Sequence, residues 1–376
     1  MEAMEEIKDS LPIQKDGKFC YSIVYRDDLK DLAGALDGVE NGGWKQIAII
    51  TDSNVAPLYA EEVKAQLLSG GRSPEIGICT LPAGEDHKTL DSIQAIYRYL
   101  LENHYDRSCL LIALGGGVIG DMTGFAAATW LRGVDFIQIP TTLLAQADSS
   151  IGGKTGVDFE GYKNMVGAFY MPRLVYSCVS VLRSLSAPQF SGGFAEIMKH
   201  GLIRDGVFYE WLLDHIYEIN GRDPDTLKEM LYRSNLIKKN VVEKDPFEKN
   251  ERRLLNFGHT IGHAIEKYRN FELSHGECVA LGCVAASYIS WKKGFLSMEE
   301  YYEIRDMFVP FGLPISVENI DIPEVCRLVH SDKKVSSGTL HFILLKKAGK
   351  AFIDTTVTDE EIEEALKEIE YTEDGE

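Results

Sequence analysis

Between Cys109 and Asp121 the sequence reads CLLIALGGGVIGD. The leading apolar run is typical of a strand that is buried on both faces, and the glycines that follow would end that strand. Gly115, Gly117 and Gly120 also match the pattern G-x-G-x-x-G, in which backbone N–H groups approach a pyrophosphate at the start of a helix. The same pattern marks a simple tight turn about as often. The stretch therefore predicts a strand–turn–helix unit, with dinucleotide binding as one of two interpretations.

Further apolar runs on both sides of this unit repeat its order of strand, polar or glycine turn, and helix. They cover residues 46–50, 76–81 and 134–139, and residues 89–103 show the helical spacing of apolar side chains. Strands that alternate with helices are typical of βαβ units and a parallel sheet, whose ligands bind beyond the carboxyl ends of the strands. The sequence thus predicts an α/β fold that begins with a Rossmann-like parallel-sheet nucleotide domain.

The pattern changes after about residue 184, where helical spacing dominates. We expect helices at 194–202, 226–244, 256–268, 277–291 and 297–308, then a strand at 341–345 and a last helix opened by the capping box of Thr358 and Glu361. We therefore expect two domains, an α/β nucleotide-binding domain at 1–184 and a mainly helical domain at 185–376.

Composition excludes several classes of protein. The 376 residues hold 39 Lys and Arg against 58 Asp and Glu, a formal charge of −19, which argues against nucleic-acid binding and against a peripheral membrane protein. No apolar stretch approaches the ~18 residues of a membrane span, and the acidic start has no signal-peptide pattern. The seven cysteines form no Cys-x-x-Cys pair. We expect a reduced, cytoplasmic protein.

Two acidic residues are candidates for contacting the ribose of a dinucleotide. Such an acid usually lies ~20 residues beyond the glycine pattern, and Asp135 fits that spacing. Asp135, however, lies within the next predicted strand, whereas Asp52 ends the first strand of the sheet. Asp52 is therefore the better candidate.

A second loop of small residues, 149–156, reads SSIGGKTG. It looks like a phosphate-binding P-loop, but Asp148 stands where that motif needs its first glycine. ATP binding by this route is disfavoured. Lys154 either offers its ammonium to an anion or lies in a solvated turn, and the sequence leaves both readings open.

The segment 256–263, NFGHTIGH, places His259 and His263 four residues apart on one helical face. That spacing can hold a metal ion, although Thr260 replaces the Glu of the H-E-x-x-H motif. Glu196 would supply a carboxylate, and one carboxylate with two histidines is the ligand set of a catalytic zinc site. Spacing does not select the two ligands, which could come from the set His200, His259, His263 and His275, and an isolated histidine pair is often only a helix surface.

Several separated motifs, in order along the chain, resemble those of the 3-dehydroquinate synthase family within the sugar-phosphate cyclases. They extend the match from about Asp52 to Lys334 and are Gly115–Asp121, Arg132–Asp135, Pro140–Gln146, Asp148–Lys154, Lys163 and Asn164, Ala195 and Glu196, Leu255–Thr260, and His275–Glu277.

The resemblance implies roles for particular residues. Zinc or cobalt would be held by Glu196, His259 and His275, with His263 and Glu248 as proton acceptors. Substrate contacts would come from Arg132, Asp148, Lys154, Asn164, Lys199, Lys238, Arg252, Asn256 and one of Lys333 and Lys334. NAD contacts would come from Asp52, Ser53, Asn54, Glu85, Lys88, Gly116, Gly117, Val118, Asp121, Thr141, Thr142 and Lys163. In the family the counterpart of Arg132 reaches the neighbouring subunit, which implies a homodimer.

The implied reaction converts 3-deoxy-D-arabino-heptulosonate 7-phosphate to 3-dehydroquinate and phosphate, the second step toward chorismate. NAD takes a hydride from C5, phosphate is eliminated, the hydride returns, and the opened product closes by an aldol reaction. The sequence departs from the family at Pro246, usually Glu, at Asn250, usually Gly, and at Gly192, usually Ser or Asn.

Three alternatives stay open at this point. A sister cyclase that makes 2-deoxy-scyllo-inosose or an epi-valiolone would act on a substrate without the carboxylate that Arg252 and Lys238 are expected to bind. A metal-dependent polyol dehydrogenase would produce NADH steadily. An NAD-binding regulator without activity would not need the residues of the metal centre.

Overall fold

The computed structural model describes residues 8–40, 42–71, 73–245, 251–331 and 340–371. By contacts the chain divides into two compact units. The first contains Met1–Leu185 and Leu227–Lys239, and the second contains Ser186–Thr226 and Asn240–Glu376. The first unit thus includes a later segment of the chain in addition to the predicted 1–184.

The first unit is an α/β structure. Its strands are β1 Ser10–Lys15, β2 Lys18–Arg26, β3 Gln46–Asp52, β4 Glu75–Leu81, β5 Leu110–Gly115, β6 Asp135–Pro140, β7 Lys154–Phe159, β8 Tyr162–Phe169 and β9 Leu174–Cys178. Its helices are α1 Leu32–Asp37, α2 Glu61–Ser69, α3 Leu90–Glu102 and α4 Gly117–Thr129. Shorter helical turns cover Ala56–Ala60, Glu85–His87, Trp130–Arg132, Ala145–Ser149 and Ser180–Ser184.

In the described residues of this unit, seven strands form one sheet in the order β1-β2-β9-β6-β5-β3-β4. The edge strand β1 is antiparallel to β2, and the other pairs are parallel. The parallel Rossmann-like sheet predicted from the sequence is therefore confirmed. Strands β7 and β8 form a separate antiparallel hairpin.

Alternate residues of β3 and β5 pack on opposite faces of the sheet. Ile49 and Ile112 belong to the core on the side of α1 and α2, whereas Ile50 and Leu111 belong to the core on the side of α3 and α4. Both faces are covered, so these strands read as continuous apolar runs and not as alternating ones.

The second unit is mainly helical, as predicted. Its helices are α5 Ala187–Arg204, α6 Gly206–Asp214, α7 Ile216–Asn220, α8 Pro224–Lys244, α9 His259–Tyr268, α10 His275–Lys292, α11 Met298–Asp306, α12 Ile322–Ser331 and α13 Asp359–Ile369, and the middle of α8 belongs to the first unit. Short strands are β10 Val317–Glu318, β11 Phe342–Lys347, β12 Lys350–Asp354 and β13 Glu370–Tyr371, with helical turns at Glu251–Asn256 and Val309–Phe311. None of the described helices combines the length and the hydropathy that a membrane span requires.

The expected helix at 256–268 begins three residues later than its apolar pattern indicates. Gly258 has a left-handed backbone with φ 79° and is the N-cap of α9, which starts at His259. Residues before it form the separate turn Glu251–Asn256. A left-handed residue does not continue a right-handed helix, so the helix starts anew after Gly258.

Candidate active site

Four side chains from three helices of the second unit meet at one point. Helix α5 supplies Glu196, α9 supplies His259 and His263, and α10 begins with His275. Glu196 Oε1 lies 3.5 Å from His259 Nε2 and 3.6 Å from His275 Nε2. Ring nitrogens of the three histidines lie within 4.8 Å of one another. The predicted histidine pair is therefore part of a cluster and not an isolated helix surface.

The carboxylate of Glu196 has the features of a metal ligand. Glu196 is only 1% exposed, and its Oε2 accepts a hydrogen bond from Lys199 Nζ. In the described part of the chain, Glu196 Oε1 accepts no hydrogen bond. A buried oxygen without a hydrogen bond is costly, and a cation shared with His259 and His275 would satisfy it. One carboxylate with two imidazoles suits zinc or cobalt and leaves a coordination position for substrate.

The protonation of these groups fits a metal centre. Burial alone would raise the pKa of Glu196, but the Lys199 ammonium and the two histidines hold that pKa well below its ordinary value. Burial and the Lys199 ammonium lower the pKa of His259 to about 3, so that its ring is neutral and able to bind a metal. Burial opposes the protonated form of His275, yet the carboxylates of Glu196 and Glu266 outweigh burial and raise its pKa to about 9. A cation bound at His275 would take the place of that proton.

Glycines allow the three helices to approach closely enough for this meeting. A Cβ added to Gly276, next to His275, would lie 2.2 Å from Gly192 Cα on α5. A Cβ added to Gly282 on α10 would lie 1.8 Å from the carbonyl oxygen of Gly258. Side chains at these two positions of α10 would push the helix away from its neighbours, so the glycines set the spacing of the clustered side chains.

In the first unit, the glycine turn after β5 opens α4 as predicted. Gly116 is the extended N-cap of α4, and the N–H groups of the helix's first turn lack acceptors within the helix. A Cβ on Gly116 would lie 3.0 Å from Thr142 Cγ2, and one on Gly117 would lie 2.9 Å from Ser149 Oγ. Thr141 Oγ1, just beyond β6, is buried without a hydrogen-bond partner among the described residues. Glycines without side chains leave room for a pyrophosphate. The N–H groups of the first turn of α4 and the buried Thr141 hydroxyl would be its hydrogen-bond partners.

Asp52 ends β3, the neighbour of β5 in the sheet. Its Oδ1 accepts hydrogen bonds from the backbone N–H groups of Asn54 at 2.8 Å and Val55 at 3.0 Å. The order of the strands reverses between β3 and β5, which is where ligands of such sheets bind. Asp135, the other ribose candidate, instead accepts a hydrogen bond from the Trp44 indole at 3.0 Å and lies at the amino end of β6. The geometry favours Asp52.

Lys88 joins residues that the sequence assigns to two different ligands. The side chain is almost fully buried, and its Nζ lies 2.7 Å from Asp121 Oδ2 and 2.6 Å from Asn164 Oδ1. Burial raises the pKa of Asp121 to about 6, although the Lys88 ammonium opposes this rise. One ammonium therefore orients both an expected NAD contact and an expected substrate contact.

The middle of α8 supports the loop that leads to Lys154. Lys238 Nζ donates to the Asp148 carbonyl oxygen at 2.7 Å and also to the Asp148 carboxylate. The Asn235 amide donates to the carbonyl oxygen of Gln146 at 3.1 Å. Lys154 itself begins β7 and not a helix, which agrees with the expectation that this loop is no P-loop.

Comparison with known proteins gives the family. The models described as 3-dehydroquinate synthase N-terminal and 3-dehydroquinate synthase C-terminal match residues 78–192 and 193–335. A 3-dehydroquinate synthase of Acetivibrio thermocellus is 44% identical over 342 residues, which are 91% of this chain and 94% of that protein. The chain belongs to the 3-dehydroquinate synthase family.

Solved structures of sister cyclases share the fold. A 2-epi-5-epi-valiolone synthase from Streptomyces hygroscopicus subsp. jinggangensis, with NAD+ and Zn2+ bound, has a TM-score of 0.86 and 26% identity over 96% of this chain and 99% of that chain. A 2-deoxy-scyllo-inosose synthase complexed with carbaglucose-6-phosphate, NAD+ and Co2+ has a TM-score of 0.85 and 24% identity over the same shares. At the latter identity the likeness shows the fold alone.

The expected residues of the family divide between the two units. All the expected NAD contacts and, among the substrate contacts, Arg132, Asp148, Lys154, Asn164 and Lys238 lie in the first unit. The expected metal ligands, together with Lys199, Arg252, Asn256 and His263, lie in the second. Glu248, Lys333 and Lys334 lie outside the described residues, as do the departures from the family pattern at Pro246 and Asn250.

Two of the expected substrate contacts, Arg252 and Arg132, lie in different surroundings. Arg252 is buried in the turn Glu251–Asn256, and its backbone N–H donates to Asp245 Oδ2 at 3.2 Å. Arg132 is exposed and has a left-handed backbone with φ 70°, directly after Leu131 with φ 49°. Such a backbone is strained for residues other than glycine, and strain of this kind is found at functional loops.

Sequence reasoning missed Glu266. Its Oε2 lies 3.5 Å from His275 Nδ1, on the other side of the ring from Glu196. The signal was present, because Glu266 follows His259 by seven residues and therefore lies on the same face of α9.

Proposed function

We propose that this chain catalyses the 3-dehydroquinate synthase reaction, the conversion of 3-deoxy-D-arabino-heptulosonate 7-phosphate to 3-dehydroquinate and phosphate, in the pathway to chorismate. The observation that carries the proposal is the meeting of Glu196, His259 and His275 beside His263. It occurs in a chain that aligns over nearly its whole length with a 3-dehydroquinate synthase.

Two bound groups complete the proposed site. Glu196, His259 and His275 would hold zinc or cobalt, and the turn at Gly116 and Gly117 would hold NAD; the sister cyclases named above bind the same groups. The metal ion would supply a Lewis acid for the substrate hydroxyls, and NAD would supply a reversible hydride acceptor for C5, so that no net oxidation would remain.

His263 is proposed to accept the proton of the C5 hydroxyl. It lies one turn after His259 on α9 and is exposed, so that it can both reach the ligand cluster and exchange protons with solvent. Imidazole is the side chain best suited to such exchange near neutral pH. Once C5 is a ketone, the C6–H bond is acidic.

Elimination then breaks the C6–H bond and the C7–O bond to phosphate, and a C6=C7 double bond forms. A phosphate oxygen of the substrate itself would take the C6 proton. Cationic side chains stabilise this charge: Lys154 and Arg132 would bind phosphate, while the planar guanidinium of Arg252 would bind the C1 carboxylate in a bidentate manner, with Lys238 as a further contact. With C5 again an alcohol, the ring C2–O bond would break to give a C2 ketone and a C6 enolate. The π electrons of that enolate would form the C7–C2 bond, C6 would become a ketone, and the hemiketal proton would pass to the new C2 alkoxide.

The C1 carboxylate of the substrate distinguishes this reaction from those of the sister cyclases, whose substrates lack it. The chain is 44% identical to a 3-dehydroquinate synthase but 26% identical to the valiolone synthase. Arg252 and Lys238, the proposed carboxylate contacts, are both buried cations in this structure. Lys238 already contacts the Asp148 carboxylate, and a substrate carboxylate would be a further anion near these buried charges.

The test is phosphate release from 3-deoxy-D-arabino-heptulosonate 7-phosphate with trace NAD, before and after chelation. We expect release in large excess over NAD, loss on chelation, and recovery with zinc or cobalt. Phosphate release from sedoheptulose 7-phosphate or glucose 6-phosphate, but not from the heptulosonate, would indicate a sister cyclase. Steady NADH formation from glycerol with no phosphate release would indicate a polyol dehydrogenase. A folded, NAD-bound and metal-loaded protein without any release would refute the proposal.

We also propose a homodimer in the cytoplasm. Exposed apolar side chains of the hairpin β7–β8, namely Phe159, Tyr162 and Met165, support a surface for a second copy. None of the seven cysteines, all within the described residues, forms a disulfide, as expected in a reducing compartment. If Arg132 serves the neighbouring site, a mixture of inactive Arg132→Ala and His263→Ala proteins should regain activity in mixed dimers.

A further inference from the structure

Glu266 lies in the last turns of α9 and is buried, with 5% of its surface exposed. Buried carboxylates are uncommon and need partners. One partner is His275, whose Nδ1 lies 3.5 Å from Glu266 Oε2. On the other side of that ring, His275 Nε2 lies 3.6 Å from Glu196 Oε1. The imidazole is therefore held between two carboxylates, one at each nitrogen.

The two ring nitrogens of a neutral histidine have opposite roles. A histidine binds metal through the nitrogen that carries no proton, and the partner of the other nitrogen decides which one that is. A carboxylate at Nδ1 accepts the Nδ1–H bond and leaves the lone pair on Nε2, which faces Glu196. For His259 the backbone has the same role, because its Nδ1 lies 3.1 Å from the carbonyl oxygen of Phe257. In each expected histidine ligand an oxygen atom thus lies near Nδ1, which leaves Nε2 for the metal.

The backbone between α9 and α10 is built to bring Glu266 and His275 together. Asn270 has φ 48°, and the N–H of Phe271 donates to the carbonyl oxygen of Glu266 at 2.9 Å, as in a Schellman helix end. Phe271 is itself left-handed with φ 63°, which is unfavourable for a bulky residue. Ser274 then caps α10 with a capping box, so that His275 becomes its first residue. A tight and partly strained turn therefore separates the carboxylate from the ring.

We propose that Glu266 is a positioning residue that holds His275 with Nε2 directed at the metal. This inference rests on the proposed function, since it assumes that His275 is a metal ligand. Loss of such a partner typically weakens metal binding ~10–100-fold.

The test compares Glu266→Ala and Glu266→Gln with the wild type in Co2+ and Zn2+ binding, measured by competition with a chelator, and in the visible absorption spectrum of the Co2+ protein. We expect ~10–100-fold weaker binding and an altered spectrum for Ala. The Gln variant should bind with intermediate affinity, because its amide oxygen still accepts the Nδ1–H bond. Saturating Co2+ should restore much of the phosphate release of the Ala variant.

The matched control is Glu368→Gln, which removes a carboxylate charge elsewhere in the second unit, where Glu368 accepts a hydrogen bond from Tyr301 Oη at 2.8 Å. It should leave metal affinity and spectrum unchanged. Wild-type affinity and spectrum in Glu266→Ala would overturn the inference while leaving the proposed function intact. If the Ala variant does not fold, Glu266→Gln and the shorter Glu266→Asp decide by the same criteria. A wild-type protein that binds neither ion would refute the metal centre itself.

Discussion

Replacing Gly276 by alanine should disrupt the proposed metal centre without changing any of its proposed ligands. The added Cβ would lie 2.2 Å from Gly192 Cα and 2.3 Å from Gly192 O, both backbone atoms that have no rotamer by which to move away. An ordinary contact of ~3.4 Å requires the helices to separate by about 1 Å, and such overpacking costs ~1–3 kcal/mol. Since His275 precedes Gly276 and Glu196 lies one turn after Gly192, the separation would also lengthen the 3.6 Å distance between these ligands.

The same helix contact supplies its own control. A Cβ on Gly192 would meet Gly276 Cα and Ser274 Oγ only at 3.9 Å, an ordinary contact. Gly192→Ala should therefore be neutral or stabilising, by ~0.5–1 kcal/mol from the reduced entropy of the unfolded chain.

Thermal unfolding and Co2+ titration measure both effects. For a unit of this size, ~1–3 kcal/mol corresponds to a fall in Tm of roughly 2–12 °C for Gly276→Ala, together with weaker Co2+ binding. Equal Tm and equal Co2+ affinity in the two alanine variants would refute the argument that this close approach sets the ligand spacing.

Further predictions concern single side chains. Glu196→Ala removes a carboxylate from the buried Lys199 ammonium and should lower the free energy of unfolding by ~3–5 kcal/mol in denaturant titration, with partial recovery in Glu196→Ala/Lys199→Met. His263→Ala should retain Co2+ binding but lose phosphate release by ~10²–10⁴-fold, and equal loss of both would show that His263 is a ligand. The folded-state pKa of Asp121, about 6, lies above its ordinary 3.8, so stability contributed by the protonated form is present below pH 4 and lost as pH rises through 6. Asp121→Asn should therefore reduce the fall in the free energy of unfolding between pH 4 and 6. An unchanged pH dependence would contradict the inference that burial raises the pKa of this carboxyl.

The fold was predictable where burial is uniform. Strands β3, β5 and β6 are buried apolar runs because helices cover both faces of the sheet, whereas the edge strand β4 is only partly buried. The glycine or polar residues after the four strands mark their ends. The hairpin β7–β8 was not predicted, because β8 is largely exposed and lacks an apolar run. Its two-residue turn, Glu160 and Gly161, has positive φ at both positions, and Glu at the first position is not one of the residues by which such turns are recognised.

The candidate site was predictable only along one helix. The spacing of His259 and His263 follows from the α-helical period, but the choice of His275 as their companion depends on how α9 and α10 pack. The buried pair of Glu196 with Lys199 is consistent with their i,i+3 spacing, yet an i,i+3 pair is common on solvated helix surfaces as well. Only burial distinguishes the two cases.

The position of the proposed site depends more on the glycines and turns that pack the helices than on the proposed ligand residues themselves. Helix α9 carries His259, His263 and Glu266 on one face whatever surrounds it, but these side chains become a site only because α10 lies against Gly258 and Gly192. The strained turn at Asn270 and Phe271 then places His275 between two carboxylates. A sequence that kept every proposed ligand but replaced Gly276 or Gly282 would preserve the motif and lose the spacing of its side chains, so these close-approach glycines are as necessary to the proposed site as the ligands are.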